Sequence, residues 1–273
     1  MLNAAEYGIS PLLELPKQIK IITLIAKKII MFYNVFVMKI YIVNSQININ
    51  TKELLSTYGF VAGVNAHPNL PTPEKHHADM QFAKIDNHTL IRAPKSSVDA
   101  SLDGISLLTG SVDLYEKYPD NIAYNILRCG EHFFHNLKHT APEVKNEINN
   151  RNFNLLNTNQ GYAGCSSICV PLQDEEILLL SSDKGIISSV NKLGKRNIHT
   201  EYFEETKSII LPGYDHGFIG GCCGYDEELG LLVYGKINGQ LKLLSERYNF
   251  PILSIFDGPL TDIGGILVMY PCL

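Results

Sequence analysis

Two histidines, three aspartates and a cysteine carry most of the chemistry this sequence offers. His216 stands between Asp215 and Gly217, in a glycine-rich stretch that suits an acid/base group or a hydrogen-bond partner for substrate. A loop histidine satisfied by backbone is the plainer alternative. Asp79 follows His76 and His77, which brings a carboxylate and imidazoles within three positions. A carboxylate there can grip a cationic ligand or bond turn amides at a strand end. In an extended segment adjacent histidines point to opposite faces, so only His77 shares a face with Asp79 and no metal site is expected. Cys165 is a nucleophile if its thiolate forms, and otherwise a small buried hydrophobe. Asp183 ends an apolar run ahead of Lys184-Gly185, as a site carboxylate or as a helix N-cap. Asp262 occupies the position analogous to Asp79 in a later repeat. The vicinal pair Cys222-Cys223 offers redox chemistry, with at most one thiol on any shared face.

These residues sit in or beside five short segments rich in small side chains. The segments are His77–Phe82, Asn121–Asn125, Ala163–Ile168, Gly217–Cys223 and Thr261–Ile266. Their centres are separated by roughly 45, 40, 56 and 42 residues, a period that points to repeated supersecondary units. Each is expected to be a strand. Three lead through a polar turn into a strongly apolar strand: Thr89-Leu90-Ile91, Ile177 to Leu180, and Leu229 to Tyr234. Helices are expected over Thr51–Tyr58 (capped by Thr51), Ser111–Tyr118, Ala141–Arg151, Gly185–Leu193 and Gln240–Arg247. Further strands are expected at Lys39–Val43, Ser208–Leu211 and Ile252–Phe256. The eroded pattern of strand, strand, helix, strand predicts an α/β ring. Small-residue strands would line its channel, apolar strands would form the middle of each small sheet, and helices would lie outside. A single mixed sheet with helices on its faces is the alternative.

The chain has 273 residues, of which 45% are hydrophobic and 19% charged, enough for a sizeable core. A net charge of −5 with no basic tract gives no support to nucleic-acid binding. Six cysteines without a Cys-x-x-Cys pair form neither a zinc layout nor a secreted disulfide framework, so a reducing cytoplasm is expected. Residues Ile19 to Val43 are largely apolar, but Lys27 and Lys28 interrupt the run, which disfavours a membrane anchor. Residues 1–37 are expected to be an extension outside a single domain covering 38–273. The run Gly217 to Gly224 lacks the Lys-Ser/Thr ending of a phosphate loop, and no Gly-x-Ser-x-Gly or His-Glu-x-x-His occurs.

Several motifs in order then carry a resemblance: His76-His77-Ala78-Asp79-Met80-Gln81, Asn159 to Ser166, Ser182 to Ile186, Pro212 to Gly221, and Pro259 to Gly265. From about Met38 to Pro271 the chain resembles an uncharacterised bacterial branch of the guanidino-group modifying enzyme, or pentein, fold superfamily. That resemblance implies a five-bladed α/β propeller of ββαβ repeats around a central channel, with a substrate site at one mouth. It implies a hydrolase or transferase acting on a small guanidino or amidino compound, without a cofactor. Enzymes of this fold use a last-blade cysteine nucleophile, a histidine at the start of the fourth blade, and carboxylates that hold the planar guanidinium bidentately. His216 matches that histidine within a residue. The last segment, Asp262 to Met269, has no cysteine, and Cys272 lies beyond it. Cys165 is the candidate replacement. His216 and Cys165 are therefore the expected catalytic pair, with Asp79, His77, Asp183 and Asp262 as substrate-binding residues. A non-catalytic protein that binds a small ligand or a protein partner is the alternative.

Overall fold

The computed structural model describes residues 39–272; the expected extension, residues 1–37, lies outside the described residues. The described chain is mixed α/β and builds five small three-stranded sheets. It begins with β1 (Ile40–Asn44), a helix over Ile49–Ser56 and β2 (Phe60–Val64). Next come β3 (Phe82–Lys84), β4 (Thr89–Arg92) and β5 (Ser106–Thr109), then β6 (Leu127–Cys129), β7 (His132–His135) and β8 (Asn154–Asn157). The second half holds β9 (Ser167–Pro171), β10 (Ile177–Ser181), β11 (Ile198–Tyr202), β12 (Cys223–Asp226), β13 (Gly230–Val233), β14 (Ile252–Ser254) and β15 (Leu267–Met269). The sheets are β3-β4-β5, β6-β7-β8, β9-β10-β11, β12-β13-β14 and β15-β1-β2. In each, the first two strands pair antiparallel and the third joins the middle one in parallel.

The middle strands explain the apolar runs. Alternate residues of a strand point to opposite faces. On β10, Leu178 and Leu180 enter one core cluster while Leu179 enters another. On β13, Leu231 and Val233 part from Leu232 in the same way, and on β1 Ile40 and Ile42 part from Tyr41 and Val43. On β7, Phe133 and Phe134 divide likewise, and so do Leu90 and Ile91 of β4. Both faces of every middle strand are therefore buried against apolar neighbours, which is why these strands carry no polar alternation. Each cluster joins two sheets that follow one another in the chain, and the fifth joins the last sheet to the one holding β1.

The expected middle position of the apolar strands matches these sheets. Helices at Pro142–Asn150, Lys184–Asn191 and Gly239–Tyr248 lie where the sequence places them. Three expectations are corrected. Ser111–Tyr118 is irregular, not helical. Ser208–Leu211 makes only a single bridge, between Ile210 and Thr261. The first helix is capped by Asn48, whose side chain accepts from the Asn50 amide, while Thr51 is buried and donates its hydroxyl to the Ile255 carbonyl at 2.6 Å. No described helix is long and apolar enough to cross a membrane, and all six cysteines are free.

The small-residue segments also differ from expectation. Ala78–Gln81 and Ala163–Ser166 are single helical turns, and Gly220–Cys222 is a 3-10 turn; each runs straight into the first strand of its sheet. The small residues let the backbones of these segments approach one another closely. The five segments touch in succession. Asn125 Nδ2 donates to the Asp79 carbonyl at 3.0 Å, and Asn125 Oδ1 accepts from the amides of Gly164 and Cys165 at 2.8 and 3.1 Å. Gly220 packs on the Gly164 carbonyl. The Gly265 amide donates to the Gly221 carbonyl, and the Asp79 amide donates to the Gly264 carbonyl, both at 2.9 Å.

Candidate functional site

A cavity of about 300 Å³ opens beside these turns. Four of the six residues singled out from the sequence line it: His77, Cys165, His216 and Asp262. Asp79 lies just behind this wall, and Asp183 is not among the lining residues.

Asp262 is the best-anchored group. It is buried, its Oδ2 accepts from the Phe218 amide at 2.9 Å, and its Oδ1 accepts from the Gly264 amide at 3.0 Å. Glycines make room for it: a Cβ at Gly217 or Gly221 would lie 2.5 or 2.0 Å from atoms of its side chain. Gly264 is required twice over, because its φ is +80° and a Cβ there would collide with His77. Burial raises the Asp262 carboxyl to about 6, against the pull of its two amide donors.

Asp79 has no such support. It is buried, and neither carboxyl oxygen receives a hydrogen bond. Burial first, and then the charge of Asp262, push it up to about 8, so the two carboxyls titrate as a pair and hold a proton near neutral pH. The Cys165 thiol lies against it and accepts from Asn125 Nδ2 at 2.9 Å. Burial and the two aspartates raise this thiol well above the ordinary range, the reverse of what an activated nucleophile needs.

His77 closes the group. A turn in which its amide donates to the Glu74 carbonyl at 2.9 Å sets the backbone, and its Nδ1 stands 3.8 Å from Asp262 Oδ1. Burial lowers its pKa to about 4, so the ring is neutral at pH 7. His76 turns away, with Nδ1 near Ser45 Oγ and the Val64 carbonyl. His216 is half-buried, edge-on to Phe218 with ring centroids 6.0 Å apart. Its loop is tied back by the Gly217 amide, which donates to the Ile209 carbonyl at 2.9 Å.

Asp183 is corrected. Its Oδ1 accepts from the Ile186 amide at 2.8 Å and caps the helix Lys184–Asn191, and its Oδ2 accepts from Gln160 Nε2 at 2.8 Å. Asp183→Ala is expected to cost about 1 kcal/mol in unfolding free energy, the worth of a cap. Ligand binding in the cavity should stay unchanged, which a denaturant titration paired with a binding assay would check.

Glu74, Tyr162, Tyr214 and Phe218 line the cavity too and were not singled out from the sequence. They lie in loops and turns with no periodic pattern, so nothing local marks them. Glu74 is buried, and Tyr162 and Phe218 stack with centroids 6.4 Å apart. The lining contains three carboxylates (Glu74, Asp215 and Asp262) and neither lysine nor arginine. Among the described residues no group of three or more His, Cys, Asp or Glu is placed to hold a metal ion. The arrangement can take up positive charge against carboxylates and aromatic faces, and it holds a neutral imidazole and a thiol beside that charge.

A family model described as "Family of unknown function (DUF6873)" matches residues 42–267. No curated protein and no solved structure matches the chain.

Proposed function

The chain belongs to the DUF6873 family, and from that premise we propose that it is a five-bladed, pentein-like α/β propeller that binds a small cation, guanidino- or amino-bearing, in the 300 Å³ cavity. The ring is supported by the five small-residue segments touching in succession and by core clusters that link each sheet to the next and the last to the first. The observation that carries the ligand class is the pair Asp79 and Asp262, both buried and, among the described residues, neither ion-paired with a lysine or arginine. Unpaired buried carboxyls stay neutral by holding protons. A guanidinium or ammonium entering the cavity displaces that proton, gains a charge-assisted contact to Asp262 and feels the charge of Asp79 just behind the wall. Tyr162, Tyr214 and Phe218 supply aromatic faces for the same charge. Six free cysteines suit the reducing cytoplasm of this reading.

Calorimetric and thermal-shift titrations with agmatine, arginine and putrescine, and with citrulline as the uncharged counterpart of arginine, test this. Saturable binding of the cations is expected, with proton release and with affinity rising from pH 6 toward pH 8. Equal responses to arginine and citrulline, or none to any cation, would discard the proposal.

A guanidino hydrolase or transferase is the second reading, favoured by one observation: His77, His216 and Cys165 line the same cavity. A bound cation beside Cys165 would lower its thiol pKa and so supply the activation that burial and the two aspartates oppose. Iodoacetamide alkylation of Cys165 with and without agmatine, followed by assay for ammonia or urea, separates this reading from simple binding.

A further inference from the structure

A second, larger cavity of about 870 Å³ starts one residue layer from the first. Met80, Cys165 and Asp262 line the first, while Asp79, Gly164 and Gly265 line the second. Two cations stand in its wall, Lys84 from β3 and Arg128 from β6. Among the described residues neither makes an ion pair. Lys84 Nζ donates to the Val268 carbonyl, and Arg128 donates from Nε to the Gly130 carbonyl at 2.9 Å and from Nη1 to the Ile85 carbonyl at 2.8 Å. The Ile85 bond ties the guanidinium to the residue next to Lys84, close enough for its charge to act on that ammonium. The guanidinium lies over the rings of Phe133 and Phe153, at 5.6 and 5.0 Å.

Both cations are partly buried. Withdrawing a cation from water without a carboxylate is unfavourable, and two like charges side by side make it more so. Asp86 and Glu227 offset part of this through space, but neither pairs with Lys84 or Arg128, and most carboxylates around the cavity are engaged elsewhere. Asp86 pairs with Arg151, Glu176 with His199 at 3.2 Å, and Glu227 accepts from Asn87 Nδ2 at 2.6 Å. Glu175 is exposed, and Asp79 holds its proton near neutral pH.

We infer that the second cavity is an anion site in which Lys84 and Arg128 together hold the phosphate or carboxylate group of a small metabolite. The inference does not rest on the cation site: Lys84 and Arg128 line only this cavity, and Asp79 is the one residue the two readings share. Burial and the neighbouring guanidinium lower the Lys84 ammonium to about 8. Part of it is therefore free amine in mildly alkaline buffer, where a bound anion would restore its charge and shield it.

Lysine acetylation at pH 8, mapped by mass spectrometry, tests this on the intact protein in chloride, inorganic phosphate or succinate at equal ionic strength. Lys84 modification should slow by about tenfold in whichever of phosphate or succinate carries the matching group, the protection given by an anion at about ten times its Kd. The same anion should raise Tm in the wild type and leave Lys84→Gln unmoved. Equal labelling in all three salts, or a Tm rise retained in Lys84→Gln, would overturn the assignment.

Discussion

Adding one methyl group at Gly220 is expected to destabilise the protein by more than about 3 kcal/mol, beyond the usual range for overpacking. An alanine Cβ there would lie 2.2 Å from the Gly164 carbonyl oxygen, 2.4 Å from that of Ser167 and 2.7 Å from that of Cys165. All three obstacles are backbone atoms of one neighbouring turn, so no side chain can rotate aside. That turn is itself fixed, because Asn125 Oδ1 accepts from the Gly164 and Cys165 amides and the Ser182 amide donates to the Ser166 carbonyl. Relief would require moving two turns apart, which would also displace Cys165 and the floor of the cavity. Gly239→Ala is the matched control. It opens the helix Gly239–Tyr248 with nothing within 4 Å of its Cβ position, so stability should hold or rise by up to about 1 kcal/mol. Urea unfolding of both variants decides the matter: a Gly220→Ala midpoint close to wild type would show that these turns are not closely packed.

Gly220 also shows why some of the fold was legible in the sequence and some was not. Small residues at even spacing mark places where backbones approach, and they located all five contact segments. They do not say whether the approach is made by a strand or a turn, since glycine, alanine and serine carry no apolar period. Four of the middle strands, β1, β4, β10 and β13, were legible because both of their faces are buried, leaving runs such as Leu178-Leu179-Leu180, while β7, with a histidine at each end, was not. Their parallel partners β5, β8 and β11 were not. Ser106–Thr109, Asn154–Asn157 and Ile198–Tyr202 are largely exposed or half-buried and show no alternation. At the site, His77, Cys165, His216 and Asp262 stood out because their side chains are reactive types in or beside the small-residue segments. Asp183 shares the type but serves a helix end, a distinction made only by which amides lie in front of it. Glu74 and the aromatic wall come from loops whose convergence depends on the tertiary fold alone.

Asp79→Asn should stabilise the unliganded protein above pH 6.5 while weakening cation binding. In the unfolded chain this carboxyl titrates near its ordinary value of 3.8; in the folded protein it is raised to about 8. A raised carboxyl contributes stability that is complete below pH 4 and is lost as pH climbs toward 8, because folding must then take up a proton. Asp262, raised to about 6, acts with the same sign over a lower range. His77 and His135, both lowered to about 4, act with the opposite sign, their contribution being present above 6.5 and lost toward 4. Lys84, lowered to about 8, changes stability only above that pH. Between pH 6.5 and 8 the Asp79 proton therefore dominates, and wild-type stability should fall by about 1 to 2 kcal/mol across it. An asparagine side chain in its place keeps the shape and cannot ionise, so the variant should lose that slope. The substitution also removes the charge that Asp79 places behind the cavity wall, and affinity for a guanidinium or ammonium should drop by up to about tenfold at pH 8. Unfolding curves at pH 6.5, 7.25 and 8, alongside a cation titration at pH 8, measure both effects. Parallel slopes in wild type and variant would mean that Asp79 is ionised in the folded protein, and the proton-for-cation exchange would fall with it.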